Sequence, residues 1–298
     1  MSRAAAARLA RGAALPALYA GWGEALVARF ATAPTRESSS ALRIGVVFGP
    51  RAATALTGTN IELRIANDSG TTVEASMAFK SIDGLAAFWI DQLNASLARA
   101  GIRFPVHVAA TATLAREEQV PASPAPPALL RDLGEGVVEE DGVALPLERW
   151  AARQRLASLI VVADWILDRS RLSRGAIAGA TLMTARRIGS ELCFWPASIV
   201  DATCARLAFG LAHEFGHQLG VMHENVVDAP FTGARGFAVQ GGPISVMALG
   251  RAGGLDRALQ WSRPEPSAGG AWPWGDADHD DAAWMKTALP LLARQCFR

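Results

Sequence analysis

The segment HEFGHQLGVMHE, at positions 213 to 224, holds three of the chain's five histidines. Imidazole nitrogen is a common metal ligand, and a carboxylate beside it can move protons. His213 and His217 are spaced i, i+4. In a helix that spacing stacks two imidazoles on one face, where they can share a metal ion. The lead-in DATCARLAFGLAHEFGHQLG (201–220) supplies such a helix, because Leu207, Leu211, Phe215 and Leu219 recur every four residues as one apolar stripe. Each of the two histidines lies two residues from a stripe residue, roughly 200° around the helix, so the pair is expected to face away from the core. Glu214 sits roughly 100° from the first histidine, within reach of a water on the metal without being a ligand.

Gly220 follows His217 by three residues. Glycine at that point can take a left-handed conformation, end the helix and turn the chain back, so that His223 becomes a third ligand. Three neutral imidazoles leave one position open, the catalytic rather than the structural pattern of zinc. The expected chemistry is hydrolysis, with one zinc ion activating water and Glu214 acting as general base and then acid.

The pattern HExxHxxGxxH resembles the metzincin zinc endopeptidases. A second mark of that clan is a methionine-containing turn, and GGPISVMALG (241–250) offers Met247 in the form Ser245-Val246-Met247, with Gly241, Gly242 and Pro243 favouring a turn. The resemblance implies that Met247 is an apolar floor under the imidazoles and not a ligand. It also extends to the order of elements over roughly 41–298. A first strand, a long helix, a second strand and a buried strand precede the zinc helix, and the lead-in CFWPASIVDATCARLAFGLAHEFGH looks most like bacterial reprolysin-like proteases. The implied substrate is a protein or peptide, with secretion or a periplasmic location favoured. Glu224, directly after the third histidine, is an astacin-like choice. Astacins and serralysins carry a tyrosine two residues after the Met-turn methionine, but that position is Leu249 and the one tyrosine is Tyr19. A tyrosine ligand is therefore excluded. No cysteine precedes Cys193, so no thiolate from residues 1–190 can hold the site latent.

These residues need a scaffold. With 298 residues, half of them apolar, the chain can build a substantial core. ALRIGVVF (41–48), NIELRIAN (60–67), RFPVHVAATATL (103–114) and SLIVVAD (158–164) read as strands, and 84–102, 145–157 and 280–295 as helices. Gly101 is a candidate helix cap, and Pro290 should kink or shorten the last helix. The expected class is α+β, with an α/β-like upper subdomain carrying a mixed twisted sheet and the active-site helix, and an irregular lower subdomain carrying the Met-turn. Residues 1–41 read as a leader or weak signal segment and 42–298 as one catalytic domain. The apolar, β-compatible stretch GAIAGATLMTA (175–185) is the candidate edge strand for an extended substrate.

A net charge of +1 argues against nucleic acid or an anionic membrane as partner, and the N-terminal stretch is too short and polar to span a bilayer. Cys193 and Cys204 could pair in an oxidising compartment or stay as free buried thiols. Asp276, Asp278 and Asp280 have the spacing of a calcium loop, but Asp281 and Thr287 fall where glycine and glutamate are needed. These acids are expected instead to cap the last helix. His279 reads as a surface residue and His107 as a strand residue. Two rival functions share the zinc site: hydrolysis of a non-peptide amide or ester, and a catalytically silent zinc-containing binding domain.

Overall fold

The apolar run at 42–48 forms strand β1 (Leu42–Phe48), an interior strand of a sheet, buried at every position except Arg43. This computed structural model describes residues 40–58, 60–66, 72–116, 136–163, 179–188, 191–202, 208–224, 235–238, 245–248, 260–265 and 275–293. Helix α1 (Pro50–Leu56) follows, starting on a proline that suits a first helical turn. Strands β2 (Asn60–Ala66) and β3 (Thr72–Ala78) pair as an antiparallel ribbon. Helix α2 (Ile82–Arg99) starts two residues earlier than its apolar spacing predicts, because the Ser81 hydroxyl accepts from Gly84 N–H. It ends as expected at Gly101. The N–H of Gly101 donates to Ala98 O and that of Ile102 to Leu97 O, a Schellman reversal.

Strand β4 (Val106–Thr113) then runs parallel to β1. The side-chain amide of Asn94 on α2 holds both polar backbone groups of Val106, at 2.8 and 2.9 Å. A short hairpin, β5 (Val137–Glu140) with β6 (Val143–Pro146), precedes α3 (Leu147–Arg153). The helix expected over 145–157 is therefore shorter at both ends. Leu145 and Pro146 are taken by the hairpin, and at Arg155 the backbone has φ +53°.

Strand β7 (Ser158–Ala163) is buried at every position. Strands β8 (Gly179–Ile188) and β9 (Glu191–Asp201) complete the sheet. Its order is β4-β1-β7-β9-β8. The first four strands are parallel, and β8 pairs antiparallel to β9 at the edge. Helix α4 (Ala208–Gln218) follows β9, and α5 (Asp281–Ala293), with Pro290 inside it, is the last described element.

The class is thus mixed α/β, compatible with α+β, with five helices among the described residues. Side chains alternate across the sheet. Leu42, Ile44, Val46 and Phe48 join the larger core with Trp89 of α2, Phe215 of α4 and Met285 of α5. Val47, Leu159 and Val161 face the other way, onto Leu147 and Trp150 of α3. No helix among the described residues is long and apolar enough to cross a membrane. Most of the 1–41 leader, Cys204, Cys296, Leu249 and the residues 241–243 lie outside the described residues, and of Cys193 only the strand position is described.

Candidate metal centre

Helix α4 packs its stripe as its periodicity requires. Leu211, Phe215 and Leu219 are buried in the larger core. The opposite face, however, is not open. Glu214 and His217 are buried and His213 is half-buried. Met247 packs on the flank of the helix, at Gly216. At Gly216 an added Cβ would lie 2.4 Å from Met247 Sδ and 3.0 Å from Trp261 Cζ3. Glycine at 216 is therefore what lets the methionine sit directly against the helix between the two histidines in sequence. The side turned away from the stripe is thus enclosed as well, with the helix also packed on β8 and β9.

The turn that carries Met247 is closed by Ala248 N–H donating to Ser245 O at 3.1 Å. Ser245 also accepts from Phe237 N–H through its hydroxyl, and Val246 N–H donates to Gln260 O. These bonds fix the turn, and the turn fixes a histidine. Nδ1 of His213 lies 2.7 Å from Val246 O. A carbonyl can only accept, so Nδ1 carries the proton and Nε2 of the neutral ring presents its lone pair.

The C-terminal end of α4 treats His217 in the same way. Gly220 has φ +85°, the N–H of Gly220 donates to His217 O, and that of Val221 donates to Gly216 O. This is again a Schellman reversal, the stop expected of Gly220. The reversed chain brings Val221 O to within 2.7 Å of His217 Nδ1, and two residues later delivers His223. Trp284 of α5 donates from Nε1 to Leu219 O at 2.7 Å, so the end of α4 is also held from outside.

The ring nitrogens converge. His223 Nε2 lies 3.0 Å from His213 Nε2 and 3.0 Å from His217 Nε2. The possible ligand atoms of the three residues all fall within 4.8 Å of one another, the one such group among the described residues. A single proton can serve one nitrogen–nitrogen contact at a time, whereas a cation at the centre serves three lone pairs together. The residues therefore fit a metal ion. Burial lowers the His217 pKa to about 4, against the opposing bond to Val221, so this ring stays neutral near pH 7 and ready to ligate.

No family model matches this sequence, and no curated protein matches it. Among solved structures, one described as a chaperone-substrate complex matches over 87 % of this chain at a TM-score of 0.54 and 12 % identity. The chain spans 36 % of that chain's length. At that identity the likeness concerns the fold alone.

Glu214 lies beside the histidines. Burial pushes its carboxyl up to about 7, while a hydrogen bond from Thr181 pulls the other way. That bond runs from Thr181 Oγ1 on β8 to Glu214 Oε2 at 2.7 Å. Sequence reasoning missed Thr181, Ser198, Gln218 and Gly216 as parts of this site. The other candidates fall elsewhere. Asp280 caps α5 through Ala283 N–H, as expected of that acidic run. His279 is only half-exposed and bonds Asp276 at 2.7 Å, and His107 is exposed on β4.

Proposed function

We propose that this chain is a zinc-dependent endopeptidase of the metzincin kind. The observation that carries the reading is the convergence of His213, His217 and His223 beside the buried carboxylate of Glu214. The order of elements supports the upper half of such a catalytic domain, and the turn at 245–248 supports Met247 as its Met-turn. Zinc held by the three histidines would supply Lewis acidity, which favours deprotonated water near neutral pH and polarises a carbonyl.

The chain's own groups do the rest. Glu214 takes the proton of the attacking water and passes it to the leaving amine. A basicity near neutrality suits both halves of that task. Strand β8 lies at the sheet edge, antiparallel to its neighbour, and α4 packs against it. An extended peptide can add to such an edge through its main chain, which would present the scissile bond above the histidines.

The test uses zinc-loaded full-length protein and a peptide library read by mass spectrometry. Wild type should cleave, and a chelator should stop it. Glu214→Gln should keep its zinc and lose cleavage by about 10²- to 10⁴-fold. Unchanged cleavage in that variant would defeat the proposed mechanism. Absence of cleavage by the wild type would favour a non-peptide substrate or a silent binding domain.

A further inference from the structure

Three neighbouring strands each place one hydroxyl beneath α4. Ser158 on β7 bonds Gln218 Oε1. Gln218 Nε2 lies 2.8 Å from Leu159 O and 2.8 Å from Ser198 Oγ on β9. Ser198 Oγ is 2.8 Å from Thr181 Oγ1 on β8, its directly paired neighbour in register. Thr181 Oγ1 in turn reaches Glu214 Oε2 at 2.7 Å. Ser158, Ser198 and Gln218 are fully buried.

Donor and acceptor roles are fixed at the Gln218 end of this chain. Leu159 O can only accept, so the amide nitrogen of Gln218 faces it and the second N–H points to Ser198. Gln218 Oε1 accepts the Ser158 proton. Having accepted from Gln218, Ser198 sends its own proton to Thr181 Oγ1 or to Glu214 O, which lies 3.2 Å away. The single proton of Thr181 has two acceptors on Glu214, Oε2 at 2.7 Å and the main-chain O at 3.1 Å, and in the ionised form of the carboxyl, which only accepts, the shorter contact takes it. Each donor in such a chain polarises the next.

We infer that Thr181 is a positioning residue for Glu214, held in its donor role by Ser198 and Gln218; the inference rests on the endopeptidase reading above. The last torsion of a glutamate side chain is soft and roughly two-fold, so nothing in the side chain itself fixes where its oxygens point. The Thr181 hydroxyl takes Oε2 and thereby assigns Oε1 to the reacting water. Because Thr181 stands on the edge strand, the base is aligned from the element that would also carry the substrate's main chain.

The experiment compares Thr181→Val, which removes the hydroxyl, with Thr181→Ser, which keeps it, in zinc-loaded full-length protein. Thr181→Val should lower kcat by about 10- to 100-fold. KM and zinc affinity should stay within about twofold of wild type, since the strand's main chain and the ligands are untouched. Thr181→Ser should restore most of the loss. The second readout is the affinity of acetohydroxamate, which chelates zinc and gives its N–OH proton to the neighbouring carboxylate. Thr181→Val should weaken it by about tenfold, Thr181→Ser should restore it, and in a Glu214→Gln background the Thr181→Val change should have no further effect. Equal kcat and equal acetohydroxamate affinity in wild type and Thr181→Val would overturn the inference. So would equal losses in the valine and serine variants, or loss of zinc. If wild type cleaves no peptide, the endopeptidase reading fails, and the acetohydroxamate series alone decides the role of Thr181.

Discussion

The Nδ1 of His213 is 2.7 Å from the carbonyl oxygen of Val246, so the first histidine is aimed by the residue that precedes Met247. The turn at 245–248 therefore acts on the site through a backbone oxygen, while its methionine sulfur packs at Gly216. His217 is aimed likewise by Val221 O. Ligand orientation of this kind sets both the tautomer and the basicity of the ring.

Three converging nitrogens should behave as one site. Dialysed wild type should hold one zinc per chain by elemental mass spectrometry. Single replacement of His213, His217 or His223 by alanine should bring the content well below one, with no compensation from the other two. Removal of the ion with a chelator should be reversed by added zinc.

Gly220 has φ +85°, and the reversal there delivers both Val221 O and His223. Gly220→Ala should cost about 1–2 kcal/mol, the strain of a left-handed alanine. Urea denaturation should report that loss as a lower midpoint, and a competing zinc dye should report weaker metal binding in the same variant.

Gly216→Ala tests the close approach of Met247. A Cβ 2.4 Å from the sulfur forces the turn or the methionine to move. Overpacking of this kind costs about 1–3 kcal/mol, partly offset by about 1 kcal/mol of helix propensity. A net loss of stability is expected, and Met247→Ala in the same chain should recover part of it. Additive losses in the double variant would mean that the two residues do not press on each other.

Asp281 should make stability fall with rising pH. Burial raises its pKa from 3.8 to about 8, helped by the nearby charge of Asp280 and opposed by two bonds from Ser262. Oδ1 of this carboxyl has no hydrogen-bond partner among the described residues, which disfavours the charged form. Between those two values the folded state holds a proton that the unfolded state has lost, so the stabilisation is complete below about 4 and gone above about 8. Urea midpoints measured from pH 5 to pH 8 should therefore decline, and Asp281→Asn should flatten that decline.

Much of the candidate metal centre was legible because its histidines are local. Two histidines one helical turn apart, a glycine at the reversal and a third histidine just beyond it fall within eleven residues, 213 to 223. The strands at 42–48 and 158–163 were legible as apolar runs. What surrounds the ligands was not. Ser158, Thr181 and Ser198 come from separate strands, and an isolated hydroxyl in an apolar strand gives no hint of which helix will cross it. Val221 and Val246 contribute carbonyl oxygens, which every residue type possesses. The hairpin at 137–146 was hidden because LPLERW continues the apolar spacing of the helix behind it, although Pro146 ends the pairing.

Trp261 is wholly buried, with its ring against Gly216 and Met247 and its Nε1 3.0 Å from Ser96 Oγ. Any shift of α4 on the turn changes the surroundings of that indole. Trp261 is thus an optical reporter of that contact: the difference in emission between wild type and Trp261→Phe isolates one fluorophore beside α4, and a change in it on adding zinc would follow loading without a dye or a substrate.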